Sequence, residues 1–106
     1  MSGKGIREVV LDAEAWRTSK DFFNALAEGL GSEGWHGRNA DAFLETMVFH
    51  IDSHEVQPPY RVVVRGADTS LKPYIEDFGG WLEEAREDRR NDPTWGDDVS
   101  VEIVVE

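Results

Sequence analysis

Asp41 and Glu45 stand four residues apart in the stretch Gly34–Met47, GWHGRNADAFLETM. On a helix that spacing makes their side chains neighbours. Such a pair can hold a cation, share a proton, or imitate the phosphates that a cationic groove normally grips. His36 beside Glu45 suggests an acid–base couple, but nothing in the sequence positions a substrate for it. His50 and His54 are also four apart, a spacing that can hold a metal. A third ligand would have to be His36, at the far end of a helix over about 20 Å long. A histidine near a helix C-terminus is favoured by the dipole without any metal. The chain has no cysteine, so thiolate chemistry is excluded. It has no glycine-rich phosphate loop and no placeable Ser–His–Asp set. The expectation is therefore a protein without catalytic residues, metal or cofactor. A small hydrolase or metal-dependent enzyme is the reading this sets aside.

The elements that would carry these residues follow from periodicity. The run Ile6–Asp12, IREVVLD, predicts a first strand. Thr18 offers a helix cap with Asp21 in the capping-box position. Phe22, Leu26 and Leu30 recur at helical spacing, and Gly29, Gly31 and Gly34 end that helix. Asn39 caps a second helix, expected to reach about His54, before Pro58 and Pro59 forbid helix. Tyr60–Gly66, YRVVVRG, predicts a second strand. Residues 68–90 form a third helical region, buried through Leu71, Tyr74, Phe78, Leu82 and Ala85. Gly79 and Gly80 are expected to kink or divide it. Residues 91–98 read as a loop, and Val99–Val105 as a third strand. Helices between strands argue for parallel pairing with right-handed crossovers. The expected fold is α/β, one domain over residues 1–106, with a three-stranded parallel sheet packed with helices in the order β-α-α-β-α-β.

On a wheel advancing about 100° per residue, Ala40, Phe43, Leu44, Met47 and Ile51 fall in one apolar arc. Asp41, Glu45 and Asp52 fall together on its flank. Like charges at i,i+4 mildly destabilise a helix. Asp41 recovers part of that through the dipole, and Glu45 little. A plain solvated face is one account of the pattern. A row of carboxylates offered to a cationic groove is the other. Trp35 in the preceding loop favours the second, because aromatics are enriched at interface hot spots. Trp16, Trp81 and Trp95 are read instead as core or core-edge residues. The acids Glu83, Glu84, Glu87 and Asp88, interleaved with Arg86, Arg89 and Arg90, read as a solvated, salt-bridged face.

The run from Trp35 to Glu45, WHGRNADAFLE, resembles the recognition loop and second helix of the barstar family of ribonuclease inhibitors. The family pattern is aromatic, variable, Gly, polar, Asn, small or apolar, Asp, Ala, Leu or Phe, variable, acid. The order of strands and helices is similar too, so the resemblance spans nearly the whole chain. It implies inhibition by plugging: the helix and its leading loop cover the active site of a ribonuclease, and acids occupy the phosphate positions. Carried over by position, Trp35 matches a tyrosine of the loop, Asn39 the cap, Asp41 the first interface aspartate and Glu45 the second. Glu84 matches a further peripheral acid. Arg38 stands where the family has an acid, Leu44 where it has a tryptophan, and Glu45 is one methylene longer than the aspartate it replaces. The partner-binding set implied is Trp35, Arg38, Asn39, Asp41, Leu44, Glu45 and Glu84.

The bulk composition agrees. The 106 residues are 40% hydrophobic and 31% charged, with 22 acids against 11 bases and a formal net charge of −11. Such a field repels nucleic acid and anionic lipid and steers in a basic protein. There is no apolar run long enough to span a membrane and no secretory signal at the N-terminus, which with the absent cysteine suits a cytoplasmic protein. The expected partner is a cognate basic ribonuclease or related toxin domain, bound 1:1 by a chain that is a monomer alone. An acidic adaptor on the same fold, with a non-nuclease partner, is the alternative.

Overall fold

The structure, a computed structural model, describes residues 6–32 and 37–106. Trp35 and His36 lie outside the described residues. The chain forms strand β1 (Arg7–Asp12), helix α1 (Ser19–Leu30), helix α2 (Ala40–Val48), a 3-10 turn (Ile51–Ser53), strand β2 (Tyr60–Arg65), helix α3 (Lys72–Asn91) and strand β3 (Val101–Val105). The strands make one sheet in the order β1-β2-β3, and both pairings are parallel. The expected fold class and element order are therefore present.

Alternation along the strands sorts side chains between two faces. Val9, Leu11, Val62, Val64, Val101, Ile103 and Val105 belong to or pack against the hydrophobic core. On that face the helices press close: a Cβ on Gly29 of α1 would lie 3.0 Å from Leu11, and one on Gly79 of α3 would lie 3.8 Å from Ile103. Between them a ring cluster joins the helices, with Phe22–Phe78 edge-on at 5.6 Å and Phe23–Phe43 stacked at 5.8 Å. Parallel sheets are usually covered on both faces; among the described residues this one is covered on one only. Its reverse face carries three rows set by the register. Val10, Val63 and Val104 form the middle row, and Glu8, Arg61 and Glu102 one flank. Arg65 and Glu106 hold the other at 2.7 Å. Arg61 bonds Glu102 at 2.5 Å and Glu8 at 3.3 Å. Charge-paired rows thus let the central Val63 fall to 2% exposure while Val10, on the edge strand, stays 49% exposed.

The main departures from expectation are in α2, α3 and β3. Helix α2 stops at Val48, not near His54. Gly79 and Gly80 do not divide α3, which is continuous from Lys72 to Asn91. A Cβ at Gly79 would meet Ile103 at ordinary contact distance and one at Gly80 would meet nothing within 4 Å, so neither glycine is required by a close approach, and the pair only weakens local propensity. Strand β3 starts at Val101, two residues late. The capping of α1 is as expected: the Asp21 carboxylate accepts the Thr18 and Arg17 backbone N–H groups at 3.1 and 2.7 Å. Those two bonds, the Arg17 one first, hold its carboxyl below the usual carboxylate range. Gly31 closes α1 at φ 63°, where a side chain would collide with Glu55.

Candidate functional site

Helix α2 is launched by local chemistry. Gly37 sits at φ 84°, left-handed backbone that glycine adopts without penalty. Asn39 is extended, and its side-chain oxygen accepts the Ala42 N–H at 2.9 Å, as an N-cap should. Between them Arg38 is exposed and donates from Nη1 to Asn24 Oδ1 of α1 at 3.2 Å. The one cation of this segment is thereby tethered to the preceding helix.

Asp41 occupies the first turn of α2 and is exposed. Its carboxylate makes no hydrogen bond or ion pair with any other described residue. Glu45, one turn on, is also exposed. Leu44 is half-buried and packs against the core, so it offers less surface to a partner than its neighbours do. Phe43, Met47 and Val48 are buried and fix which way the acids face. Asp52, expected to share their row, lies in the 3-10 turn beyond the helix end. Glu84 is exposed on α3 and, unlike Glu83, forms no ion pair with another described residue. The structure thus places Asp41 and Glu45 on one exposed helix face with Arg38 and Asn39 leading into it.

The helix ends where it does for two reasons. Thr46 donates its hydroxyl to the Ala42 carbonyl at 3.0 Å, a back-bond that tends to bend helices. With its proton so used, Thr46 Oγ1 accepts from buried His54 Nε2 at 2.9 Å. His54 also pairs with Ser32 in an isolated bridge, drawing the chain back toward α1. The Glu45 carbonyl then takes both the Phe49 and His50 N–H groups, at 2.8 and 3.0 Å. His50 and His54 consequently do not share a helix face. His50 is exposed, with Nε2 3.1 Å from Glu45 Oε1. Among the described residues no three His, Cys, Asp or Glu side chains are grouped to hold a metal.

One carbonyl at the end of α2 has a partner that the sequence did not announce. Arg89 of α3, only 7% exposed, donates from Nη1 to the Val48 oxygen. Its Nε bonds Asp97 Oδ1 at 2.9 Å, and its guanidinium lies 4.6 Å from the Trp95 ring centre. Arg86 likewise bonds Asp98, at 2.9 Å, and the Val101 carbonyl at 3.1 Å. The charge run expected to be solvated is therefore split: its acids Glu84, Glu87 and Asp88 are exposed, while two of its arginines turn inward. The guanidinium of Arg89 holds the Asp97 carboxyl below the usual range, and that of Arg86 does the same to Asp98. Trp16 is buried as expected, whereas Trp81 and Trp95 are exposed. An open cleft of about 580 Å³ lies beside the end of α2, lined by Phe49, His50, Asp52, Arg89 and Trp95 among others.

No helix among the described residues is long and apolar enough to cross a membrane. A comparison with curated proteins returns no match. The family model described as Barstar (barnase inhibitor) matches residues 6–99, so with its parallel sheet, its three helices and its acid-bearing second helix, the chain belongs to the barstar family.

Proposed function

We propose that this protein inhibits a basic ribonuclease, or a related toxin domain, by laying α2 and its leading loop across the partner's active site. One observation carries the reading: Asp41 and Glu45 are exposed on a rigid helix, and no arginine or lysine among the described residues pairs with either. A like-charged i,i+4 pair is unfavourable to the free helix, so an external cationic site is where the pair gains. The contact set is Trp35, Arg38, Asn39, Asp41, Leu44, Glu45 and Glu84, the central acids standing in for substrate phosphates. The protein performs no chemistry itself; it occludes. With a net charge of −11 it draws in a basic partner by steering, for which the barnase–barstar pair is itself the reference example. The complex is 1:1 and the free chain a monomer acting in the cytoplasm.

Titration of the purified protein into a barnase-type ribonuclease tests this. RNA cleavage should stop at one equivalent, and the association rate should fall steeply as salt is raised. Undiminished cleavage, together with capture of a basic partner that leaves RNA intact, would replace this reading with that of an acidic adaptor.

A further inference from the structure

We propose that His50 sets the charge α2 presents to its partner: when protonated it clamps Glu45 and withdraws one of the two central carboxylates from binding. The proposal rests on α2 being the partner-binding face and adds to it a positioning residue. His50 Nε2 lies 3.1 Å from Glu45 Oε1, and the two side chains are 57% and 62% exposed. Both are therefore open to solvent protons and to a docking surface. A neutral imidazole donates one hydrogen bond and leaves the carboxylate negative. An imidazolium makes a charge-assisted bond and cancels that charge. A partner's arginine or lysine must then displace a cation instead of a neutral donor, while meeting one more positive charge on the surface. Imidazole is the side chain whose charge changes between pH 5 and 8.

The geometry exists because α2 ends early. Residues five apart do not meet on a regular helix; here the chain folds back, with the His50 N–H on the Glu45 carbonyl at 3.0 Å. The charged groups facing His50 are Glu45 from α2, Asp52 from the 3-10 turn and Arg89 from α3, with Phe49 and Trp95 as uncharged walls. Arg89 is engaged by Asp97 and the Val48 carbonyl. Asp52 forms no ion pair with another described residue, and Glu45 is the acid in contact. His54 is buried against Thr46 and takes no part.

Two measurements on the wild type and His50→Gln test this. In the free protein, the Glu45 carboxyl ¹³C resonance should shift between pH 8 and 5.5 in step with protonation of the His50 ring. That step should vanish in H50Q; its absence from the wild type overturns the proposal. With barnase as the probe at constant ionic strength, the wild type should lose about threefold more affinity than H50Q over the same pH change. The comparison cancels the partner's own titration. Parallel pH trends of the two proteins overturn the proposal as well. A Glu45 step in the free protein without any barnase binding at pH 8 leaves the His50–Glu45 pair standing, supports its charge-setting role, and counts against the inhibitor reading.

Discussion

Acids on the open face of the sheet and acids on α2 live under opposite rules. On the sheet, Glu8 and Glu102 flank Arg61, and Glu106 pairs with Arg65. The pairing spans three strands, so each arginine ties chain segments that are far apart in sequence. At the α3–β3 junction Asp97 and Asp98 hold Arg89 and Arg86 in the same way. On α2, by contrast, Asp41 is exposed and forms no ion pair with another described residue, and Glu45 has only a histidine. Charges that serve the fold are neutralised within it. Those left over on a rigid element are available to another molecule.

The comparison is broken or sharpened by changing one side at a time. The largest effect belongs to α2. Asp41→Ala and Glu45→Ala should each weaken binding of a barnase-type ribonuclease by about 2–5 kcal/mol, the loss expected when one member of a buried interfacial charge pair is truncated. Urea unfolding should move by less than about 1 kcal/mol for either variant. Equal losses of binding and stability would place these acids in the fold's own ledger and dissolve the contrast. Next comes Arg89→Leu, which leaves the buried Val48 carbonyl without its donor. Unfolding should become easier by about 2 kcal/mol; a change below about 0.5 kcal/mol would show that α2 ends without help from α3.

The smallest effect is one of pH. The Asp97 and Asp98 carboxyls are held below the usual carboxylate range by Arg89 and Arg86. A depressed carboxylate stabilises the fold fully above its unfolded pKa, and that contribution is lost as pH falls through the folded value. Stability should therefore decline below about pH 4, and the Asp97→Asn, Asp98→Asn double variant should show a shallower decline in acid unfolding monitored by circular dichroism. Identical acid limbs would mean that these pairs contribute nothing measurable.

What could be read from the sequence follows the range of the physics involved. Local signals held: β-branched runs at Val62–Val64 and Val101–Val105 became strands, Asn39 capped α2, and Thr18 with Asp21 formed the capping box of α1. The acids Asp41 and Glu45 were legible because an i,i+4 face depends on nothing beyond four residues. The end of α2 was not. Ile51 continues the apolar period, but contacts of Thr46, His54, Ser32 and Arg89 across the fold gather where the helix stops. Arg89 hid inside an alternating charge run that looks like any solvated face, because a carbonyl 41 residues away decides its role. The His50–Glu45 contact was hidden for the same reason, being a product of that early stop.

The Arg89–Val48 bond also limits how helix α2 can travel between scaffolds. A cassette containing only residues 37–53, grafted onto another protein, would arrive without the guanidinium that finishes it, and without the Asp97 and Trp95 that keep that guanidinium in place. Moving α2 within this architecture therefore means transplanting two distant stretches of chain together.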